Sequence, residues 1–325
     1  MKYRYPKISN YLIYKKIDMD TVEIENFLTE EVYIADIEEA RYMKKLDGKT
    51  HPYDIKTALT WDEIDELIEE LGESELLKET NRIGDLNSAI RTIWEPKWTP
   101  LLKLFAFFFN HLLMLLWLPA LIIGILVFNN NFLSVDYEMM WLGNILGIVI
   151  GIILHEFGHA FAAVSYGARV FEMGLLRMYY IIPGAYVMMD DRTIKSRLKK
   201  VQIDAAGVEV NLLLAGIFLI LGAVFGNLGG MFLSAGLQNV FIAILNLTLI
   251  KGFDGMAIVS ELLGIEDIFE TATDVITDRA TRKRLRKNGL AGNAIIVTCC
   301  LIFVFQIALP LLLALNVLEV VLCFI

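Results

Sequence analysis

The chain has 325 residues, of which 56% are hydrophobic, and its formal net charge is −9. Such an apolar composition, with a positive mean hydropathy, argues against a soluble globular protein. The net acidity lies entirely in residues 1–96, which contain 22 acidic and 13 basic side chains, whereas residues 97–325 contain 16 of each. The acidic excess is either a solvated surface or a face that attracts a basic peptide, and it argues against nucleic-acid binding.

Residues 1–80 have the pattern of a small cytoplasmic α+β domain. Three short strands are predicted, at Tyr11–Lys16, Thr21–Asn26 and Val32–Ala35. A helix is predicted over Ile37–Leu46, and Thr60 with Glu63 forms a capping box before a second, amphipathic helix. A small sheet followed by helices is typical of a winged-helix-like module.

This order of elements resembles the PqqD-like recognition element, which holds the leader peptides of ribosomally made, modified peptides. The resemblance rests on the junction Leu46-Asp47-Gly48-Lys49-Thr50 after the first helix and on an apolar helix that ends near Leu76-Leu77. It implies that a leader peptide adds as an extra strand beside the small sheet, which requires an open sheet edge. A generic cytoplasmic regulatory domain is the alternative.

Residues 81–100 are predicted to form a linker, with Trp94 and Trp98 at the level of the lipid headgroups. Residues 101–325 are predicted to form an α-helical membrane domain, because their apolar runs are near or above the ~20 residues that cross a bilayer. The helices are expected at about 101–128, 139–163, 207–225, 231–250 and 294–315.

The loops between these helices alternate in charge. Those at 129–138 and 227–230 contain no Lys or Arg, whereas those at 169–200 and 251–287 contain seven each. The positive-inside rule therefore predicts a multi-pass protein of the cell membrane, with its N-terminal domain in the cytoplasm and five crossings.

The sequence does not decide whether the last apolar run is one membrane segment or two. Breaks in its apolar pattern at Pro310, Asn316 and Glu319 could mark a re-entrant hairpin or a sixth helix. The same region holds the three cysteines of the chain, Cys299, Cys300 and Cys323. In an apolar run they serve as small hydrophobes, so no disulfide framework is expected.

The helix predicted over 139–163 contains the segment His155-Glu156-Phe157-Gly158-His159. Because the two histidines are four residues apart, both imidazoles project from one helix face and can bind a single tetrahedral zinc ion. Glu156 could take a proton from a water that the metal polarises and pass it to the leaving amine. The alternative, two histidines that only hydrogen-bond in a helix interface, does not require this glutamate.

The same helix has a glycine stripe that leads into the histidines. Gly143, Gly147 and Gly151 lie at four-residue steps that continue into His155 and His159. Small residues in this pattern let another membrane helix approach closely. We therefore expect the histidines to face the protein interior, and ionisable groups at that depth favour a functional site.

Zinc requires a third protein ligand. The remaining histidines are His51 in the N-terminal domain and His111 in the first membrane helix, where His111 beside Asn110 is interpreted as a packed polar pair. An acidic residue is the better candidate, and Asp254 lies at the cytoplasmic end of the helix predicted over 231–250.

The two segments together resemble the site-2 protease family of intramembrane metallopeptidases, over about residues 100–260. That family pairs His-Glu-x-x-His with Asn-x-x-Pro-x-x-x-x-Asp-Gly. Asn246, Asp254 and Gly255 match the second motif, with Leu249 in the place of the proline. The resemblance implies that Asp254 completes the zinc shell. The chain departs from the family at the missing proline, and Gly252 and Gly255 could supply the flexibility for the helix break instead.

The family also has a Gly-x-x-x-Asn step, which Gly207 and Asn211 match. Asn211 and Asn246 could hold the substrate backbone or steady the scissile carbonyl. Both could instead only hydrogen-bond between helices. Glu209 is either an acid that contacts the metal ligands without binding the metal itself or an interfacial side chain.

Between the motif helices, Met173–Met189 is predicted to form a short hairpin around Pro183-Gly184. The resemblance implies that this region offers an edge to an extended substrate. Peptidases need an unwound substrate, and pairing with a strand edge provides one.

These observations predict a zinc metalloendopeptidase that acts in the membrane. Its expected substrate is a peptide or membrane protein, and the N-terminal resemblance favours maturation of a ribosomally made, modified peptide. Regulated cleavage of a membrane-anchored signalling protein is the alternative within enzymes. A non-enzymatic metal-binding protein, with an immunity or transport role, is the alternative outside them.

Overall fold

The computed structural model describes residues 5–74, 76–77, 87–131, 138–178, 182–265 and 267–323. The chain divides into two compact units. The first comprises Met1–Ile93 with Gly174–Gly184, and the second comprises Trp94–Met173 with Ala185–Ile325.

The first unit contains a three-stranded antiparallel sheet in the order β1-β2-β3. Its strands are β1 (Leu12–Lys16), β2 (Thr21–Asn26) and β3 (Val32–Asp36). The tight β1-β2 turn is held by Asp18, whose carboxylate accepts the backbone N–H groups of Asp20 and Thr21 at 2.9 and 2.8 Å. All three strands lie within one residue of their predicted bounds.

Two helices follow, α1 (Ile37–Met43) and α2 (Trp61–Glu73). The predicted capping box of Thr60 and Glu63 is present at the start of α2. Helix α1 ends earlier than the predicted Leu46, because a tighter turn, in which the Leu46 N–H donates to the Met43 carbonyl, carries the Leu46 side chain into the core. That core also contains Leu12, Ile24, Tyr42, Ile64, Ile68 and Leu71.

A second sheet has the order β4-β5-β6. Its strands are β4 (Asn87–Trp94), β5 (Arg169–Met178) and β6 (Ile182–Asp190). The hairpin predicted over Met173–Met189 is present, but its predicted turn at Pro183-Gly184 is wrong, since both residues lie inside β6. A proline near the start of an edge strand is tolerated because its missing N–H can face away from the ladder.

Five described helices are long and apolar enough to cross a membrane, as predicted. They are α3 (Pro100–Asn131), α4 (Met140–Ser165), α5 (Arg197–Val224), α6 (Gly229–Asn246) and α10 (Gly289–Cys323).

The helix bounds differ from the prediction mainly in α5, α6 and α10, and α10 extends over Gly289–Cys323 instead of the predicted 294–315. Helix α5 begins at Arg197 and not at 207, because hydropathy marks only the apolar part of a helix whose first turns carry lysines and arginine. Helix α6 ends at Asn246 and not at 250. The last run is one continuous helix through Pro310, so it forms neither a re-entrant hairpin nor a sixth helix.

Three shorter helices connect α6 to α10. They are α7 (Asp254–Leu263), α8 (Ile268–Thr277) and α9 (Arg279–Arg286). Met256, Ile268, Val275, Cys299 and Ile302 form a shared apolar cluster. Cys299 and Cys300 are free thiols, and Cys299 is fully buried in this cluster as a small hydrophobe. The side chain of Cys323 lies outside the described residues.

The glycine stripe packs against α6, as predicted. A Cβ on Gly143 would lie 1.9 Å from the Met231 carbonyl oxygen, and one on Gly147 would lie 2.8 Å from Ala235 Cα. Any side chain at these two positions would force the helices apart. The stripe therefore brings α6 against the face of α4 that carries the histidines.

We expect Gly143→Ala to destabilise the protein by about 1–3 kcal/mol, because the added methyl group overpacks the α4-α6 contact. Denaturant-induced unfolding in mixed micelles measures this change. Val149→Ala, at a position on α4 that is 50% exposed, is the control and should change the unfolding midpoint much less. Equal midpoints for Gly143→Ala and the wild type would contradict the close approach.

Candidate metal centre

Three ligand atoms converge inside the second unit. The Nε2 atoms of His155 and His159 are 3.1 Å apart, and Asp254 Oδ2 lies 3.0 Å from the first and 3.4 Å from the second. Both histidines are buried, with 4% and 7% of their surface exposed. The structure thus brings together the three residues that the sequence suggested as metal ligands.

Both histidines are held through their other ring nitrogen. His155 Nδ1 lies 2.6 Å from Asn211 Oδ1, and His159 Nδ1 lies 2.7 Å from the Ile203 carbonyl oxygen. Because an oxygen acceptor faces each Nδ1, each Nδ1 carries the proton in the neutral ring. The two Nε2 lone pairs are then directed at one another and at the carboxylate, as metal ligation requires.

Asp254 reaches the histidines because the chain turns sharply after α6. Gly252 has φ +95°, a conformation that side-chain-bearing residues rarely adopt. A Cβ on Gly255 would lie 2.4 Å from the Leu247 carbonyl oxygen, so α7 begins in close contact with the end of α6. These glycines break the helix without the proline that Leu249 replaces, and Asp254 becomes the first residue of α7.

The ligand set fits zinc. A tetrahedral ion with bonds of about 2.0–2.1 Å has ligand-to-ligand edges of about 3.3–3.4 Å, close to the three distances in this cluster. Two imidazoles and one carboxylate are a common zinc donor set. Asp254 Oδ2 is buried and, among the described residues, has no hydrogen-bond partner of acceptable geometry. A bound cation would satisfy this atom.

Gly207 of α5 forms the wall beside the ligands. A Cβ at this position would lie 2.4 Å from His159 Nε2 and 2.6 Å from His155 Nε2. A side chain here would occupy the space between the ligand atoms. A glycine is therefore required at this position of the Gly-x-x-x-Asn step, because any side chain would clash with the two histidines.

The electrostatics of the cluster favour an ionised Asp254. Burial by itself raises the pKa of this carboxyl, but protonated imidazoles at His159 and His155 would hold the pKa below its ordinary value, and a cation bound between the neutral rings would favour the ionised form in the same way. The ionised form is the one that binds a metal cation. Glu156 directly follows His155 on α4.

The two candidate asparagines differ in their contacts, and those of Asn211 match the expected alternative of hydrogen bonding between helices. Asn211 is fully buried and contacts His155, whereas Asn246 donates its amide to the Ile242 carbonyl of its own helix at 3.1 Å. Asn239, which sequence reasoning missed, accepts a hydrogen bond from Asn211 at 3.0 Å and is fully buried. Asn239 could have been predicted from its position, because it lies on the face of α6 that packs against the glycine stripe.

The other polar candidates lie apart from the ligands. His111 is exposed and its Nδ1 lies 2.8 Å from the Phe107 carbonyl of its own helix, while Asn110 donates to Ser165 on α4, so the two do not pair with each other. His51 accepts the Tyr53 N–H in the N-terminal unit. Glu209 accepts a hydrogen bond from Gln202 on the same helix at 2.8 Å.

Comparison with known proteins agrees with this geometry. Residues 143–230 match the family model of Peptidase family M50. The matched segment contains both histidines, Glu156, Gly207 and Asn211, but it ends before Asp254, whose role as a ligand is supported by the geometry.

One curated relative is named "Putative peptide zinc metalloprotease protein YydH", from Bacillus subtilis (strain 168). It is 28% identical to this chain over 93 residues, which cover 28% of this chain and 37% of the relative. The similarity thus spans well under half of the relative's length. No solved structure matches the chain significantly.

We expect Gly207→Ala to abolish zinc binding, because the new methyl group would occupy the metal position. Elemental analysis of the purified protein measures the bound zinc, and circular dichroism verifies the helices. Gly222→Ala on the same helix is the control, since its Cβ would have no neighbour closer than 3.3 Å. Full zinc occupancy in a folded Gly207→Ala protein would contradict the site.

Proposed function

We propose that this chain is a membrane zinc metalloendopeptidase. The observation that carries the proposal is the buried triangle of His155, His159 and Asp254, with Glu156 adjacent to it on the same helix. Its support from comparison is the match to Peptidase family M50 over residues 143–230, which contain His155, Glu156 and His159 but not Asp254. A structural histidine pair would leave the buried Asp254 oxygen and the neighbouring glutamate without a purpose.

The proposed chemistry assigns separate tasks to these residues. His155, His159 and Asp254 hold the zinc ion, which would act as a Lewis acid and lower the pKa of a bound water to about 7. Glu156 accepts a proton at its carboxylate and returns it to the nitrogen of the leaving amine. The buried surroundings strengthen each of these electrostatic interactions.

The substrate is proposed to enter in an extended form. Strand β6 lies at the edge of the sheet β4-β5-β6, and its outer backbone groups can pair with a peptide strand. An amide in a helix is shielded, whereas one in an added strand is open to attack. Extended peptides or locally unwound membrane segments are therefore the substrate forms that suit this enzyme.

The N-terminal unit supports a peptide substrate. Strand β3 is an edge strand of its sheet and exposes Val32 and Ile34, which are 56% and 63% accessible. An exposed apolar edge invites strand addition unless a partner covers it. We therefore propose that β3 captures the leader segment of a ribosomally made, modified peptide, which the enzyme then cleaves.

Orientation follows from the loop charges. By the positive-inside rule, the basic segments at 169–200 and 251–287 favour a cytoplasmic location for these loops and for the N-terminal unit. A peptide made in the cytoplasm would then be accessible to β3 before export. This arrangement suits processing of a precursor before its export.

Two other functions predict different behaviour. In regulated cleavage of a membrane-anchored signalling protein, the membrane helix of the target tethers the substrate, so β3 would be dispensable. A non-enzymatic metal-binding protein would keep its function without the carboxylate of Glu156. Substitutions at β3 and at Glu156 separate these possibilities from the proposed one.

We expect Glu156→Gln to retain zinc and to lose cleavage by about 10²–10⁴-fold, because the proton acceptor is removed while the ligands stay. Elemental analysis gives the zinc content, and mass spectrometry compares the peptides of cells that express each form. Glu209→Gln is the matched control, because its carboxylate bonds to Gln202 and not to the ligands. Processing that persists in zinc-loaded Glu156→Gln would refute the peptidase.

We expect the double substitution Val32→Lys and Ile34→Lys to reduce release of the Glu156-dependent peptides at least tenfold, because charges at the β3 edge oppose strand addition. Met19→Lys, in a turn where Met19 is 83% exposed, adds charge away from β3 and serves as the control. Unchanged release would favour the membrane-anchored substrate and exclude capture by β3.

A further inference from the structure

The two metal-binding histidines are held in different ways. His159 Nδ1 faces a backbone carbonyl, that of Ile203, whereas His155 Nδ1 faces a side chain, that of Asn211. A backbone acceptor always presents an oxygen. An asparagine amide can present either its oxygen or its NH₂ group, so its orientation must be fixed by other contacts.

The orientation of Asn211 is fixed by two acceptors. Its Nδ2 donates to the Gly151 carbonyl at 3.1 Å and to Asn239 Oδ1 at 3.0 Å. In the reversed orientation, Asn211 Oδ1 would face two oxygen atoms and its NH₂ group would face His155. The two donor bonds therefore aim Asn211 Oδ1 at His155 Nδ1.

The orientation of Asn239 is fixed by the backbone in turn. Its Nδ2 donates to the Ala235 carbonyl at 2.9 Å and to the Gly147 carbonyl at 3.3 Å. These two oxygens only accept, so Asn239 must direct its own Oδ1 at Asn211. Hydrogen bonds thus run from Asn239 on α6 through Asn211 on α5 to His155 on α4. The backbone carbonyl groups determine which atom donates and which accepts in each of them.

Glycines make this arrangement possible. A Cβ on Gly151 would lie 2.7 Å from Asn239 Oδ1 and 3.3 Å from Asn211 Nδ2. Without a side chain at Gly151, both amides reach the backbone of α4. Both asparagines are fully buried, so neither has water as an alternative partner.

We propose that Asn239 and Asn211 form a hydrogen-bond relay that fixes the neutral tautomer and the ring orientation of His155, so that its Nε2 lone pair faces the metal. Asn211 is then a positioning residue and not a group that contacts substrate, since its amide oxygen and both donor positions are already in use. Asn239 fixes the orientation of the Asn211 amide without contacting a metal ligand. The inference rests on the proposed metal centre and names the residues that hold one of its ligands in position.

Cobalt binding tests the relay without reference to catalysis. Metal-free protein in detergent is titrated with Co²⁺, and the affinity and the visible absorption spectrum of the bound ion are measured. We expect Asn211→Leu to weaken binding about 10–100-fold and to alter the spectrum. Asn239→Leu should cause a smaller loss in the same direction, because Asn211 keeps its bond to Gly151.

Two further variants separate positioning from helix packing. Asn144→Leu is the matched control, because Asn144 accepts bonds from Ser234 and Gln238 in the same α4-α6 interface but has no link to His155. It should lower the unfolding midpoint and leave the cobalt affinity and spectrum unchanged. Asn211→Asp keeps an acceptor for His155 Nδ1 and should bind Co²⁺ more tightly than Asn211→Leu.

The outcomes are distinguishable from failure of the metal centre itself. If the wild type binds no Co²⁺, or binds it as tightly after His155→Ala, the proposed metal site is wrong. If the wild type binds Co²⁺ through His155 but Asn239→Leu and Asn211→Leu show wild-type affinity and spectrum, the relay is wrong. Should Asn211→Leu not fold, Asn239→Leu decides the matter, because it changes a residue one bond further from the ligand.

Discussion

The close approach of α4, α5 and α6 at glycines is the constraint on which the rest of the structure depends. Polar ligands inside a membrane helix are costly unless they are paired within the protein. Gly143 and Gly147 bring α6 against α4, and Gly207 brings α5 to the imidazoles. The ligand atoms, the asparagines and the backbone carbonyls that satisfy them can then share one buried interior. With side chains at these positions, α5 and α6 would lie further from α4, and the histidines would lose the neighbours that bury them.

The parts of the site with strong local patterns were predictable from the sequence. His155 and His159 follow from helical spacing, and Asp254 follows from a motif that the turn at Gly252 places beside them. The five membrane helices follow from hydropathy, and the N-terminal strands from alternation and turn residues. Each of these signals lies within a short segment, so no knowledge of long-range contacts is needed to read it.

Other features of the structure could not be predicted from local sequence patterns. Asn239 is one polar residue in an apolar helix, and its role appears only when α6 packs on Gly147 and Gly151. Asn246 matches a motif, yet its amide bonds within its own helix. The start of α5 at Arg197 was missed because charged first turns carry no hydropathy signal. The partner of Asn239 thus comes from another helix, the partner of Asn246 comes from its own helix backbone, and the start of α5 has no hydropathy signal.

The different support of the two histidines has a consequence for how the site tolerates change. The acceptor for His159 belongs to the α5 backbone, so the hydrogen bond persists whatever side chain stands at Ile203. The acceptor for His155 depends on one buried amide whose direction depends on a second. A buried polar network is stable only when all of its members are satisfied. We therefore expect the proposed metal site to tolerate substitution near His159 better than substitution in the α4-α6 interface beside His155.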